Sequence, residues 1–307
     1  MAMELTQQEP LARHTSFAIG GPAKLFIRVR TRKDLLEAAT FVRKEGMPYT
    51  ILGGGSNVLI SDRGFDGIVI KNEDRTYSID GTGVVAVAGV VLAMLVHETA
   101  KVGLSGLEWA FGVPGTVGGA VRGNAGAFGG ETGDVLDSAE IIDLQSGEVK
   151  TLMHQELGFA YRRSACAQHP EWLISQATYH LTQSNPAATL QRVEECLAIK
   201  KKTQPLGARC IGSMFKNTPL TSFPDTSHIP EEYVRKGSVA SGYLIEHVGL
   251  KGYCGNNVMI SEKHANFFIN TGGACCQDVI QLIDLAKKKV FEKYGIHLCE
   301  EIQYIGN

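Results

Sequence analysis

Residues 109–131 read WAFGVPGTVGGAVRGNAGAFGGE, and the organisation of the chain can be worked out from this stretch. Eight of these 23 residues are glycine and Pro114 restricts one more position, so the main chain sets the shape of the segment. Glycine lets backbone N–H groups approach an anion closely, and successive N–H groups can hold a phosphate without a lysine. The alternative interpretation of these glycines is a surface loop or a tight crossing between strands without a ligand. Because long glycine-rich loops inside a domain are usually functional, the stretch predicts a backbone cradle for a phosphate-containing ligand.

A second glycine run, YTILGGGSNVLI at residues 49–60, lies between two short apolar segments of the β type. The chain is therefore predicted to turn from strand to strand there. A dinucleotide fingerprint needs GxGxxG between a strand and a helix, and Val58 stands where its third glycine belongs. The sequence also contains no GxxxxGK[ST] motif. Two glycine-rich loops with neither motif indicate a different kind of phosphate cradle.

The stretches GGGSNVLISDRGFDGIVI and GVPGTVGGAVRGNAGAFGGE together resemble the flavin-binding half of the UDP-N-acetylenolpyruvoylglucosamine reductase family, MurB-type flavoenzymes of peptidoglycan precursor synthesis. Three further motifs occur in that family's order: FAYRRS around Arg162, GSMFKN around Ser213 and EEIQYIG around Glu301. The resemblance runs from about His14 to Gly306. It implies an α+β fold, with a two-part FAD-binding region of the vanillyl-alcohol-oxidase/PCMH type and an α+β substrate-binding domain.

The resemblance also implies three domains. The first FAD-binding domain would comprise residues 1–73, with a C-terminal strand at 296–307 that packs back onto it. The second FAD-binding domain would comprise residues 74–184, and the substrate-binding domain residues 185–295. The spacing between Arg162 and Asn185 leaves no room for the inserted tyrosine loop of one family type, so the chain resembles the shorter type.

Local patterns predict where the helices and strands lie. Apolar spacing, a capping box at Thr31 and Asp34, and Gly46 predict a first helix, and Asn185 before Pro186 predicts the start of another. A turn at residues 145–147 predicts a β-hairpin in a second domain that is mostly β. We expect helices at 31–45, 90–102, 185–201, 238–247 and 277–294, and strands around 49–52, 58, 68, 84–88, 138–144, 148–152, 172–181, 258 and 296–305.

The resembled family implies NADPH-dependent reduction of UDP-N-acetylenolpyruvoylglucosamine to UDP-N-acetylmuramate through FAD. That reaction needs a hydride at one carbon, a proton at its neighbour, and cations or hydrogen-bond donors for the substrate carboxylate. On the matching positions, Arg162 would bind the carboxylate, Ser213 would donate the proton and Glu301 would stabilise the enolate-like species. Without the resemblance these residues read as an exposed arginine, a turn serine and an exposed strand carboxylate.

The binding residues are also implied by the resemblance. FAD would be held by Gly53, Gly54, Gly55, Ser56, Asn57, Gly112, Pro114, Gly115, Gly118, Gly119, Asn124 and Ala125. The UDP-sugar substrate would be bound by Tyr161, Lys216, Asn217 and His264, although the residues themselves favour a structural role for His264. Gln303 and Thr218 depart from the arginine and proline frequent in the family, so contacts near them are expected to differ.

Composition narrows the classes of protein that remain. The chain has 307 residues, 44% of them hydrophobic and 20% charged, which is typical of a globular protein with more than one domain. A formal net charge of −2 gives no general attraction to nucleic acid or to an anionic membrane. The one notable basic run, Lys200–Lys202, is interpreted as cations that complement the dipole at the end of a helix.

Seven cysteines without a CxxC pair indicate reduced thiols, and the chain has neither a signal-peptide pattern nor an apolar run long enough to span a membrane. We therefore expect a cytoplasmic protein without membrane insertion or an obligate protein partner. No histidine has metal-ligand spacing, so no metal is expected. Two alternatives remain open: an FAD-dependent oxidase of the same flavin fold, and a non-catalytic sugar-nucleotide sensor.

Overall fold

The computed structural model of the protein describes residues 4–306, which contain short strands and a few long helices. The α-helices are α1 (Arg32–Glu45), α2 (Leu92–Lys101), α3 (Val117–Gly123), α4 (His154–Leu157), α5 (Ala165–Gln168), α6 (Pro186–Thr203), α7 (Glu231–Lys236), α8 (Ser241–His247) and α9 (Cys276–Tyr294). The strands are β1 (Glu4–Pro10), β2 (Pro22–Val29), β3 (Tyr49–Leu52), β4 (Val58–Ile60), β5 (Phe65–Asn72), β6 (Tyr77–Asp80), β7 (Gly83–Val87), β8 (Leu104–Ser105), β9 (Gly126–Ala127), β10 (Gly130–Glu131), β11 (Leu136–Asp143), β12 (Val149–Met153), β13 (Trp172–His180), β14 (Thr182–Gln183), β15 (Thr218–Pro219), β16 (Ser238–Val239), β17 (Val258–Ile260), β18 (Phe268–Asn270) and β19 (Gln303–Ile305).

The described residues divide into two compact units. The first unit consists of the residues up to Glu9, together with Ala23–Gly54 and Phe65–Lys200. The second unit consists of Pro10–Pro22, Gly55–Gly64 and the residues from Lys201 onward. The second glycine run is thus shared, with Gly53 and Gly54 in the first unit and the next residues in the second.

The first unit contains two separate sheets of four or more strands. One has the order β1-β2-β5-β3, in which β5 pairs parallel with both β2 and β3. The central part of β5, Ile68–Ile70, is a continuous buried apolar run, as expected for a parallel strand covered on both faces. The other sheet has the order β12-β11-β13-β7-β6, and its neighbouring strands pair antiparallel. The predicted β-rich second region with a hairpin at 145–147 is confirmed.

Helix α1 covers one sheet because its apolar residues fall on one face. Leu35, Ala38, Ala39 and Val42 are buried at helical spacing and share a core with Ile27 of β2. The capping box is formed as predicted: the side chain of Thr31 accepts from the N–H of Asp34 at 3.2 Å, and Asp34 accepts from the N–H of Thr31 at 3.0 Å. Gly46 ends the helix with a φ of 61°.

The second unit is built around α9. Its buried residues lie on one face of the helix and pack in a core with α8, β17 and β18: Cys276, Val279, Leu282, Ile283, Ala286 and Val290. Asp62 caps the helix by accepting the N–H of Cys276 at 2.8 Å. The C-terminal strand β19 pairs parallel with β4, with Tyr304 opposite Leu59.

Four sequence-based expectations were wrong in detail. The glycine-rich stretch is not a loop throughout, because α3 begins after Thr116 and ends before Asn124. The helix expected at 238–247 begins at Ser241, after the short strand β16, and the tail expected to be a strand over 296–305 is regular only at β19. Lys200, interpreted as a cation that complements the dipole at a helix end, is 2% exposed and bonds to the carbonyl of Phe111, whereas Lys201 and Lys202 are exposed.

No helix within residues 4–306 has both the length and the apolar composition needed to cross a lipid bilayer. The seven cysteines are all free thiols.

Candidate functional site

In the first unit, the two glycine-rich stretches meet main chain to main chain. A Cβ atom added to Gly54 would lie 2.8 Å from the Cα of Gly115, and one added to Gly53 would lie 2.6 Å from Oγ1 of Thr116. Non-bonded carbon atoms ordinarily approach to about 3.5–4.0 Å. Glycine at positions 53 and 54 is therefore required by the contact between the two stretches.

The backbone N–H groups of this contact divide into two kinds. The N–H of Gly118 donates to the carbonyl of Ala88 at 2.9 Å, and the N–H of Gly119 faces Oγ1 of Thr116 at 3.5 Å, so both are used within the fold. Among the described residues, the N–H groups of Gly54 and Gly115 donate no backbone hydrogen bond. These two N–H groups are therefore candidates to bind acceptor atoms of a ligand.

Packing also restricts positions 112 and 118 to a small residue. A Cβ on Gly118 would lie 2.8 Å from the Cβ of Ala88, which explains how α3 packs closely on the end of β7. Gly112 has a φ of 75°, and its added Cβ would lie 3.1 Å from Cδ of Lys200. Gly119 has no atom nearer than 3.8 Å to its added Cβ, so nothing in the protein requires a glycine there.

Arg162 is presented by a tight turn. The N–H of Arg163 donates to the carbonyl of Ala160 at 2.9 Å, and Arg162 itself takes a left-handed φ of 53°, a conformation that costs energy for an arginine. The fully buried Asn124 supports the turn by donating from Nδ2 to the carbonyl of Ala160 at 3.0 Å, while its Oδ1 accepts from the N–H of Gly133 at 3.0 Å. Asn124, predicted as a cofactor ligand, thus has both ends of its side-chain amide bonded within the fold.

The guanidinium of Arg162 lies against the glycine-rich stretch. Its Nη2 donates to the carbonyl of Gly126 at 2.9 Å, and its Cζ lies 5.1 Å from the ring centroid of the half-exposed Tyr161. Gly126 allows this approach, since a Cβ there would lie 3.3 Å from Nη1. A permanent, bidentate cation is therefore fixed beside the main chain of the predicted cradle. Ala125 is adjacent, and its carbonyl accepts from the N–H of Thr132 at 2.9 Å.

In the second unit, the segments that carry Ser213 and Glu301 are neighbours. The N–H of Glu301 donates to the carbonyl of Met214 at 2.9 Å, and Phe215 and Glu300 form an antiparallel bridge. Ser213 forms its own bridge to Phe267 on the other side. The structure therefore brings together two predicted catalytic residues from distant parts of the chain.

Two sets of side-chain contacts, of which the one at Asn266 is buried, support these segments. Asn266, which the sequence reasoning missed, accepts the N–H of Phe215 at Oδ1 at 3.0 Å and donates from Nδ2 to the carbonyl of Phe215 at 2.8 Å. Glu300 accepts from Nζ of Lys287 at 2.7 Å and from the hydroxyl of Tyr304 at 3.1 Å. Asn266 lies two residues after His264 in the stretch SEKHANFFIN, and this proximity was the only signal in the sequence.

The second unit also contains the rest of the GGGSN loop. The carbonyl of Gly55 accepts from the N–H of Ser16 at 3.0 Å. Gly55 has a φ of 63°, and a Cβ added to it would overlap the carbonyl oxygen of His14, so the position requires glycine. Nδ2 of Asn57 donates to the carbonyl of Glu301 at 3.1 Å, and the carbonyl of Asn57 accepts from the N–H of Gln303 at 2.9 Å. Asn57, predicted to bind the cofactor, therefore also holds the main chain of Glu301 in place.

The remaining predicted substrate residues lie in the second unit too. The N–H of Lys216 donates to the carbonyl of Cys299 at 2.9 Å, and its own carbonyl accepts from the hydroxyl of Ser241. Burial lowers the pKa of His264, and its Nδ1 accepts from the N–H of Asn266 at 3.2 Å. The neutral imidazole therefore carries its proton on Nε2. Its ring centroid lies 4.9 Å from that of Phe267.

Comparisons with known proteins agree over the whole chain. An FAD binding domain model matches residues 23–153, and a model of the UDP-N-acetylenolpyruvoylglucosamine reductase C-terminal domain matches residues 204–305. A UDP-N-acetylenolpyruvoylglucosamine reductase from Caldanaerobacter subterraneus subsp. tengcongensis is 37% identical over 99% of this chain and 94% of its own length. One from Rubrobacter xylanophilus is 38% identical over 97% of this chain and 94% of its own length.

A solved structure supports the same relationship. The crystal structure of UDP-N-acetylenolpyruvylglucosamine reductase (MurB) from Thermus caldophilus matches with a TM-score of 0.78 and 33% identity, over 99% of each chain. These matches confirm the predicted fold class, an α+β chain with a PCMH-type FAD-binding region and a reductase C-terminal domain. The chain therefore belongs to the UDP-N-acetylenolpyruvoylglucosamine reductase family.

Proposed function

We propose that this protein reduces UDP-N-acetylenolpyruvoylglucosamine to UDP-N-acetylmuramate, with FAD as its cofactor and NADPH as its reductant. Relatives that match nearly the whole chain carry the name of that reductase. The observation that carries the proposal is the bond from Arg162 to the carbonyl of Gly126, because it fixes a cation beside the glycine-rich main chain of the FAD-binding domain.

The first unit fits FAD by its main chain. The contact between Gly54 and Gly115 leaves two N–H donors without a backbone acceptor, and such donors suit the phosphate oxygens of a dinucleotide. When bound, FAD carries the reducing equivalents of NADPH to the carbon–carbon double bond of the substrate. We assign to FAD the predicted residues of both glycine-rich stretches, with Asn124 and Gly118 acting through the fold.

Arg162 is proposed to bind the substrate carboxylate. An arginine can form two parallel charge-assisted hydrogen bonds to a carboxylate, and it stays charged as negative charge grows on the substrate during reduction. Its strained φ of 53° supports this role, since backbone strain at a well-supported turn is typical of functional residues. Tyr161, beside it, is proposed to contact the substrate.

Ser213 is proposed to donate the proton. A serine hydroxyl is a weak acid in water, but an adjacent enolate-like carbon is basic enough to take its proton. Glu301 is proposed to stabilise the same enolate-like species, which requires a carboxyl group held in place. Two hydrogen bonds fix the main chain of Glu301: its carbonyl accepts from Nδ2 of Asn57, and its N–H donates to the carbonyl of Met214. Lys216, Asn217 and His264 are proposed to bind the UDP-sugar.

The domain organisation is proposed as three functional parts. Residues 1–73 with the C-terminal segment 296–307, which contains β19, and residues 74–184 would form the two FAD-binding domains, and residues 185–295 the substrate-binding domain. Support comes from the two separate sheets β1-β2-β5-β3 and β12-β11-β13-β7-β6. We further propose that the protein works in the cytoplasm, where NADPH and the UDP-sugar are supplied, without an obligate protein partner.

The proposal is tested by reconstituting the purified protein with FAD and measuring NADPH oxidation with and without the enolpyruvyl substrate. Arg162→Lys keeps the charge but loses the bidentate geometry, so we expect turnover to fall about 10- to 100-fold, the range for losing a charge-assisted hydrogen bond. Arg163→Lys is the matched control, since Arg163 is bonded to Gln168 at 3.2 Å. Absence of substrate-dependent NADPH oxidation would disprove the reductase assignment.

The two alternative functions give different results in the same preparation. An oxidase that tethers its flavin covalently would leave the yellow colour in the acid-precipitated protein, whereas a reductase with noncovalent FAD would release it. A sugar-nucleotide sensor would bind the substrate and leave NADPH unconsumed.

A further inference from the structure

Lys200 is a buried lysine at the end of α6 in the first unit. It is 2% exposed, and its Nζ donates to the carbonyl of Phe111 at 2.8 Å. Phe111 directly precedes Gly112, where the glycine-rich main chain begins. Lysine is rarely fully buried in proteins without a partner for its charge, so this position calls for a physical reason.

The same side chain also contacts the far end of the glycine-rich stretch. Nζ of Lys200 lies 5.4 Å from the ring centroid of Phe128, a distance at which a cation is attracted by an aromatic face. The aliphatic stem passes Gly112, where an added Cβ would lie 3.1 Å from Cδ. One ammonium group therefore holds both Phe111 and Phe128, while the glycine between them makes room for its stem.

The charge of Lys200 has no carboxylate partner within residues 4–306: its polar contacts there are the Phe111 carbonyl and the Phe128 ring. Burial lowers its pKa to about 8, so the group is still mostly protonated at neutral pH. A leucine or methionine would fill the same space without the cost of removing a charge from water. The retained charge indicates a role in which the carbonyl and the ring must be held together.

We propose that Lys200 is a positioning residue for FAD. By contacting both Phe111 and Phe128, Lys200 fixes both ends of the glycine-rich main chain before the cofactor binds. This inference rests on the assignment of FAD to that main chain. Glycine-rich segments have many accessible conformations, and a binding site that is already ordered avoids the entropy of ordering on binding. Lys200 would thus act on FAD affinity without contacting FAD.

The test compares Lys200→Met, which keeps an unbranched side chain one atom shorter and removes the charge, with Lys202→Met, which changes an exposed lysine of the same helix. FAD affinity of the apoprotein is measured by quenching of flavin fluorescence, and the melting temperature of each apoprotein is measured in parallel. We expect Lys200→Met to bind FAD about 10- to 100-fold more weakly, as for loss of a charged hydrogen bond, and Lys202→Met to bind normally. The apoprotein of Lys200→Met should keep its melting temperature, because methionine fills the space and removes a desolvated charge.

Two further variants separate positioning from simple support of the fold. Lys200→Arg restores a cation and should recover at least part of the affinity lost in Lys200→Met. Phe128→Leu changes a residue that is 36% exposed, so folding is preserved, and it should weaken FAD binding about 2- to 5-fold through loss of the cation–π contact. These two variants keep the inference testable if Lys200→Met does not fold.

Normal FAD affinity in Lys200→Met would overturn the inference. The inference would also be overturned if the melting temperature of Lys200→Met fell in parallel with its FAD affinity and Lys200→Arg did not recover it, because Lys200 would then only support the fold. Normal FAD affinity in Phe128→Leu would show that the contact between Lys200 and Phe128 does not position the cofactor site. Failure of the wild-type apoprotein to bind FAD at all would instead refute the proposed function, so the two failures are distinguishable.

Discussion

Glycine at position 54 is predicted to be required by packing, and alanine there should separate the two glycine-rich stretches. The added Cβ would lie 2.8 Å from the Cα of Gly115, whereas carbon atoms in contact are about 3.5–4.0 Å apart. The stretches must therefore move apart by roughly 0.7 Å or more to relieve the overlap. Overpacking of this kind costs about 1–3 kcal/mol.

Gly119→Ala is the matched control, because it adds the same methyl group to the same region with no atom nearer than 3.8 Å. Gly119 lies inside α3, where alanine is favoured over glycine by about 1 kcal/mol. The apoprotein of Gly119→Ala should therefore be as stable as the wild type or slightly more stable. If FAD presses against Gly119, as the sequence predicts, this variant should lose FAD affinity while it keeps its stability.

The assay is thermal unfolding of the two apoproteins, followed by FAD titration. For domains of about 150–250 residues each kcal/mol changes the melting temperature by about 2–4 °C, so Gly54→Ala should melt roughly 2–12 °C lower than the wild type. FAD affinity should also fall, since Gly54 and Gly115 provide the unpaired N–H donors. A melting temperature of Gly54→Ala within about 1 °C of the wild type would contradict the packing argument.

Three further predictions concern chemistry and charge. Ser213→Ala should leave the reduction of the flavin by NADPH near its normal rate and slow its reoxidation by substrate by roughly 10²- to 10⁴-fold in stopped-flow absorbance; equal slowing of both steps would rule out an acid role. Arg162→Gln and Glu301→Gln should each slow the same reoxidation step, and the double variant should lose less than the product of the two; fully multiplicative losses would mean that they serve different steps. The pKa of Lys200 is about 8 in the folded protein, below the ordinary 10.5. Its buried charge therefore lowers the free energy of unfolding by the full amount below pH 8, and this loss is relieved as the pH rises toward 10.5 and the folded protein releases the proton. The wild type should thus gain melting temperature relative to Lys200→Met over that range, and a difference that does not change with pH would count against a buried charge.

Features governed by neighbours in the chain were predictable from the sequence. The capping box of Thr31 and Asp34, the end of α1 at Gly46 and the turn between β11 and β12 depend on residues a few positions apart. The glycine runs and the ordered motifs also identified the family and the fold class, because a motif constrains its own backbone wherever it occurs.

Features that depend on distant residues required the tertiary structure. The sequence does not show that Gly118 packs on Ala88, that the side chain of Asn124 is used by the Arg162 turn, or that the N–H of Glu301 bonds to Met214. It also gave Lys200 the same interpretation as Lys201 and Lys202, cations that complement the dipole at a helix end, although only Lys200 is buried. Adjacent positions on a helix point about 100° apart, and which direction is buried depends on what packs there, here Phe111 and Phe128.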